Sequence, residues 1–334
     1  MKVLVTGAGG FLGRYLVEQL VARGDRVRCV SRGYYPELEP LGVETVQGDL
    51  RDPDMASVVC HGMDVVFHCA AVAGIWGPWD HFHGINTVAT QNIVAGCLRN
   101  RVARLVYSSS PSVTFDGSDQ DGVDESVPYP RRWLCHYQHT KALAEQHVLE
   151  VSGQQGLLTC ALRPHLIWGP RDAHLIPRLL QRARSGQLRQ VGDGTNLVDM
   201  IYVENAAAAH LMAADALAPG SPVAGRAYFL SQGQAVNCWG WINEILGLAG
   251  LPPVHKTISF NAAWRIGGVL ETIYRTMGWT SEPRMTRFLA SQLAKNHYFD
   301  IGRAQRDFGY VPQVSTAEGM SRLAAELSAN KSGN

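Results

Sequence analysis

The segment Thr6-Gly-Ala-Gly-Gly-Phe-Leu-Gly13 limits the folds open to this chain more than any other stretch. It follows Lys2–Thr6, a short run patterned like a buried strand, and leads into residues 11–23, whose apolar positions recur at helical spacing. Gly7 and Gly10 let the backbone turn tightly and approach a pyrophosphate with no Cβ in the way. Gly13 lets the helix lie close to its strand. The N–H groups of the helix start, at Phe11, Leu12 and Gly13, are then free to face phosphates. A plain tight turn is the competing reading, and the strand-turn-helix context at the head of an alternating pattern argues against it.

That alternation continues. Residues 27–31, 43–47, 64–68, 104–109 and 158–163 read as parallel strands, separated by helical patterns such as 87–99 and 133–151. The fold class expected is α/β, a doubly wound parallel Rossmann sheet with a smaller, discontinuous C-terminal substrate domain. The dinucleotide-binding domain is drawn at 1–165, with 197–216 returning to it. Segments 166–196 and 217–325 form the second domain, where Pro- and Gly-bearing loops break the regularity, and the polar end 326–334 is expected to be disordered.

With 30 Lys+Arg against 29 Asp+Glu, no excess of either sign marks a nucleic-acid binder. The seven cysteines are dispersed and form no C-x-x-C pair, which suits reduced thiols in a cytoplasmic enzyme. The start of the chain has no signal-peptide pattern. Residues 262–279 come nearest to a membrane segment, but Arg265, Glu271 and Arg275 interrupt them. They read as an amphipathic helix packed on the body, with peripheral membrane contact as the lesser alternative. Neither His136 with His139 nor His81 with His83 has a partner at ligand spacing, so no metal is expected.

A carboxylate usually ends the second strand of such a unit and holds a ribose 2′-hydroxyl, but here Ser31 and Arg32 stand in its place. A guanidinium beside a hydroxyl suits a 2′-phosphate, which favours NADP(H) and leaves NAD(H) as the alternative. Asp49, after the third strand, fits an adenine-edge contact better than a ribose ligand. Tyr137-Gln-His-Thr-Lys141 places a phenol and an ammonium one helical turn apart, where the ammonium would lower the phenol's pKa and let Tyr137 exchange a proton with a substrate oxygen. The strand ending Ser108-Ser-Ser110 offers Ser110, or alternatively Ser109, to hold the same oxygen, and Asn86 lies at the start of the preceding helix.

These residues resemble the extended short-chain dehydrogenase/reductases over nearly the whole chain. The glycine turn, Gly48-Asp49-Leu50, Val66-Phe-His-Cys-Ala-Ala71, Asn86-Thr-Val-Ala-Thr-Gln-Asn92, Tyr137 with Lys141, Leu162-Arg-Pro164 and Trp168-Gly-Pro170 follow that family's order. The resemblance implies Tyr137 as the acid/base, Lys141 as its tuner and a ribose ligand, Ser110 as the carbonyl positioner and Asn86 as support for a proton relay. It also implies cofactor contacts at Leu50, Ala70, Ala71 and Pro164. Within the superfamily the chain is similar to the 3β-hydroxysteroid dehydrogenase branch, through Val191-Gly-Asp-Gly-Thr-Asn196, Ile201-Tyr-Val-Glu-Asn205 and Asp307-Phe-Gly-Tyr-Val-Pro-Gln313. It is more similar still to bacterial 2-alkyl-3-oxoalkanoate reductases of olefin biosynthesis, through Ser31-Arg-Gly-Tyr-Tyr-Pro-Glu-Leu38 and Arg163-Pro-His-Leu-Ile-Trp-Gly-Pro-Arg-Asp172.

The resemblance thus implies an NADP(H)-dependent oxidoreductase interconverting 3-oxo and 3-hydroxy groups on a lipid-like substrate. Val198 stands where nucleotide-sugar enzymes carry an arginine for the substrate pyrophosphate, which weakens an epimerase or dehydratase reading. A steroid dehydrogenase and a non-catalytic NADP sensor also compete with it. Trp76, Trp79 and Trp168, after strand ends, could wall an apolar pocket or pack a core; Trp239, Trp241, Trp264 and Trp279 read mainly as packing. A homodimer is expected through the helix carrying Tyr137, with Leu143, Ala144 and Val148 at the contact.

Overall fold

The computed structural model describes residues 1–332. Seven parallel strands make the central sheet: β1 (Lys2–Thr6), β2 (Arg26–Ser31), β3 (Glu44–Gln47), β4 (Val65–His68), β5 (Arg104–Ser108), β6 (Leu158–Pro164) and β7 (Arg226–Leu230). Their order across the sheet is β7-β6-β5-β4-β1-β2-β3. Both faces are covered, so the central strands β1, β4 and β5 are mostly apolar yet sort their residues by parity, whereas β2 and the edge strand β3 carry polar residues such as Arg28 and Glu44. Val3, Val5, Phe67 and Val106 join one core with helices α1 (Phe11–Ala22) and α4 (Val203–Ala216), through Leu16, Leu20, Ala206 and Ala213. Leu4, Val66, Leu105 and Tyr107 join the other with α2 (Ala89–Arg99) and α3 (His136–Glu150), through Ile93, Val94, Ala144 and Val148.

The smaller part packs around Trp168, Tyr202, Trp239, Trp241 and Ile245. Its segments pair with one another in short ladders, Val198 with His297 and His297 with Gln120, so the second unit includes residues from within 1–165. The boundary drawn at 217 also changes: Arg226–Leu230 belongs to the central sheet, in register with Cys160–Pro164 of β6. The polar end is helical, with Thr316–Ser332 one continuous helix; only residues 333–334 of the expected disordered tail lie outside the described residues. Ala144 and Val148 cannot serve a dimer contact, because both are fully buried against this chain's own sheet. Trp264 and Trp279, read as packing, are 40% and 48% exposed.

Candidate active site

β1 pairs with β2 on one side and β4 on the other, so the crossovers leave in opposite directions and a crevice opens at the strand ends. The glycine turn sits there. Gly7 has φ +70°, and a Cβ on it would come within 2.8 Å of the Ala70 nitrogen, so the turn touches the end of β4 directly. A Cβ on Gly13 would lie 2.2 Å from the Gly7 carbonyl oxygen, and one on Gly10 3.1 Å from the same atom. No side chain caps α1 at Gly10, so the first-turn N–H groups of Phe11, Leu12 and Gly13 have no intrahelical acceptor. This cradle of close backbone and open donors fits a dinucleotide pyrophosphate.

Around it, Thr6 Oγ1 accepts from the Ala70 N–H at 3.1 Å and shares a 2.7 Å hydrogen bond with His68 Nδ1, which fixes the β4 end beside the turn. Burial pushes His68 down to about 3, so it stays neutral. Ala71 is exposed at the crevice, Leu50 is buried beside β4, and Pro164 closes β6. Ser31 Oγ donates to the Gly33 carbonyl, while Arg32 is exposed and its charge helps to lower the Asp49 carboxyl, whose main partner is Arg51. Tyr35 entered the sequence reading only as part of the Ser31–Leu38 segment, with no place in the site. Its ring lies so near Gly9 that a Cβ there would meet it at 2.4 Å, and no periodic pattern signals a loop residue folded back in this way.

Tyr137 and Lys141 stand one turn apart on α3. The arrangement corrects one expectation. Burial raises the Tyr137 phenol, and the Ser110 hydrogen bond draws it partly back. Lys141 is turned elsewhere: Nζ donates to the Ser108 carbonyl at 2.5 Å and lies 4.2 Å from the Tyr107 ring centroid. Burial brings the ammonium down to about 7, opposed by the nearby Cys69 and Glu145. A phenol raised by burial keeps its proton at neutral pH, which equips it as an acid toward an oxygen held beside Ser110.

Ser110 caps a short 3-10 turn, Pro111–Thr114, and its Oγ lies 2.9 Å from Ser112 Oγ. Ser109, the alternative, is buried and helps to lower the Glu145 carboxyl. Asn86 lies in a π-helical turn, His83–Val88, before α2. Its Oδ1 accepts from the Val72 N–H at 2.8 Å, while Nδ2 donates to the Val72 carbonyl and to Thr140 Oγ1, each at 3.2 Å. Thr87 Oγ1 donates to the Thr140 carbonyl, so the π turn clamps α3 at the residue just before Lys141. Farther along α3, Glu145 forms a buried pair with Arg163 at 2.5 Å and accepts from the Tyr129 hydroxyl, tying the helix to β6.

The surroundings of Tyr137 are apolar. Ile75 and Leu134 pack with it around Phe115 and Phe288, and both also line a cleft with Trp76, His136 and Arg275. Of the three tryptophans weighed as pocket walls, Trp168 is fully buried in the second core, whereas Trp76 and Trp79 are half-buried near this opening.

Comparison with known proteins shows the family and the fold. A 2-alkyl-3-oxoalkanoate reductase of Stenotrophomonas maltophilia (strain K279a) is 48% identical over 98% of this chain and 100% of its own length. The mouse sterol-4-alpha-carboxylate 3-dehydrogenase, decarboxylating, is 31% identical over 96% of this chain and 89% of its own. Among solved structures, MoeE5 in complex with UDP-glucose and NAD superposes with TM-score 0.77 at 26% identity, covering all of both chains. The family model described as 3-beta hydroxysteroid dehydrogenase/isomerase matches residues 4–260. The family model over residues 4–260 and the full-length relatives place the chain in that family, as an NAD(P)-dependent oxidoreductase of the extended short-chain type.

Proposed function

We propose that the protein reduces the 3-oxo group of a long-chain 2-alkyl-3-oxoalkanoic acid, with NADPH preferred to NADH. The observation that carries the reading is the Tyr137–Ser110 contact set against an apolar wall of Ile75, Leu134 and Phe115. The full-length likeness to 2-alkyl-3-oxoalkanoate reductase supports the same substrate class. When bound, the nicotinamide supplies the hydride. Tyr137 delivers its proton to the carbonyl oxygen, Ser110 holds that oxygen, and Lys141 and Asn86 position the tyrosine helix. The exposed Arg32 and the hydroxyl of Ser31 are the groups that would meet a 2′-phosphate.

Val198, where a pyrophosphate-binding arginine would argue for a sugar nucleotide, is fully buried in the second core, leaving no cation there. An assay of NADPH and NADH oxidation against 3-oxo acids, 3-ketosteroids and UDP-sugars separates the readings. Each methylene buried by an alkyl chain adds about 0.8 kcal/mol, so kcat/KM should climb several-fold per carbon until the cleft is filled. Efficient turnover of UDP-sugars, or of 3-ketosteroids, with none of the 3-oxo acids would refute the lipid-acid reading. Equal kcat/KM for the two cofactors would refute the NADPH preference.

The protein is proposed to act as a homodimer in the cytoplasm. With Ala144 and Val148 committed to the core, any contact along α3 is left to outward positions such as the exposed Gln146 and half-buried Leu143. A monomer mass by light scattering at micromolar concentration is the result that would count against it.

A further inference from the structure

Helix α5 (Phe260–Thr276) has two apolar faces. One carries Ala263 and Gly267 into the body of the protein. The other holds Ile266, Val269 and Ile273, with Met277 just past the helix end, at steps of three, four and four residues that align them in one stripe. These four are 45%, 60%, 42% and 60% exposed, and the exposed Trp264 and Trp279 stand toward the two ends. The helix also carries the exposed Arg265 and Arg275, whereas its one acid, Glu271, is buried and held by Arg287 through two guanidinium nitrogens. Every exposed charge on the helix is therefore positive.

We propose that this stripe docks on a lipid bilayer that contains anionic lipid, lying in its interface. Exposed aliphatics flanked by tryptophan and arginine are the composition the interface favours. Among the described residues no helix is long and apolar enough to cross a membrane. A second copy of the chain is a poorer occupant: a two-fold contact along the helix would set Arg265 and Arg275 against their own kind, and the helix's one acid, Glu271, is already held by Arg287 and paired with Arg275.

The position of the stripe extends the substrate reading. Arg275 lines a cleft with Ile75 and Leu134, the two residues that pack with Tyr137 around Phe115, and the Trp279 carbonyl accepts from the Trp76 indole at 3.0 Å. Docked in this way, the helix end holds the cleft next to hydrocarbon, so a long alkyl chain can pass from the bilayer to Ile75 and Leu134, the apolar residues packed with Tyr137, without crossing water. This delivery step rests on the lipid-acid reading; the docking itself does not.

The test is co-sedimentation of the full chain with phosphatidylcholine vesicles, with and without phosphatidylglycerol, against the variant Ile266→Ser/Val269→Ser/Ile273→Ser. The wild type should bind the mixed vesicles, less so in high salt or on phosphatidylcholine alone, and the variant should lose at least about tenfold in partitioning. The variant should keep its kcat/KM on a short, soluble 3-oxo acid and lose activity on a long-chain one presented in vesicles. No binding to either vesicle, or equal binding by the variant, overturns the proposal. A wild-type dimer that the variant dissociates overturns it as well, giving the stripe to a second copy. Vesicle binding without turnover of any 3-oxo acid upholds the docking and defeats the substrate reading alone.

Discussion

Lys141 is buried with one main-chain acceptor, and the folded protein bears a cost for it. Its pKa falls from 10.5 to about 7, so between those values the unfolded chain holds the extra proton and stability rises with pH. At and below pH 7 the penalty is fully present. Lys141→Met should therefore raise Tm near pH 7, by roughly a few °C, while reducing kcat at least about a hundredfold. Tyr137→Phe removes only the transferable proton and should lower kcat by about a hundredfold or more with Tm and cofactor binding unchanged. Calorimetry with single-turnover kinetics checks both, and Tyr137→Phe activity within threefold of wild type would count against the assignment. Helical spacing made this pair visible in the sequence. The direction of Lys141 was not visible, because its acceptor is the Ser108 carbonyl at the end of a distant strand, and a main-chain atom leaves no trace in residue identity.

Among the elements, the glycine turn was the most legible, since it joins three glycines to a strand and a helix. Gly13 is the strictest of them. A methyl group there meets the Gly7 carbonyl at 2.2 Å, and both are backbone-anchored, so α1 must shift away from β1. Gly13→Ala should weaken cofactor binding by about a hundredfold or more and destabilise the fold by roughly 1–3 kcal/mol, measurable by cofactor titration and urea unfolding. Wild-type affinity in that variant would show that the helix start does not hold the pyrophosphate. The π turn before α2 was not legible. Its one extra residue per turn breaks the helical period only locally, and the Asn86 and Thr87 bonds that use it reach Val72 and Thr140, far off in sequence. Strand β7 was missed for a related reason: Arg226–Leu230 is a short apolar run between glycine-bearing loops, and its place beside β6 is set by tertiary pairing alone.

Across the whole molecule, buried imidazoles govern the response to acid. His68 and His210 are pushed down to about 3 and about 4, and burial also lowers His165 and His297, which lie 2.6 Å apart nitrogen to nitrogen. As pH falls below 6.5 the unfolded chain takes up these protons first, at about 1.4 kcal/mol per site and pH unit. Asp199, raised to about 6, and Glu125, also raised, act in the opposite sense, because the folded form binds their protons early. Four imidazoles against two carboxyls leave a net loss, so stability from urea unfolding should drop between pH 6.5 and 4.5. A flat profile over that range would mean that these histidines are already charged in the fold. The late arrival of β7 has a consequence for biosynthesis. Until residue 230 has left the ribosome, β6 presents an open parallel edge, and that edge ends at Pro164 beside the cofactor crevice. The nascent chain thus carries most of its cofactor cradle before the sheet that supports it is closed, and the interval between these two moments is when it most needs protection from other chains.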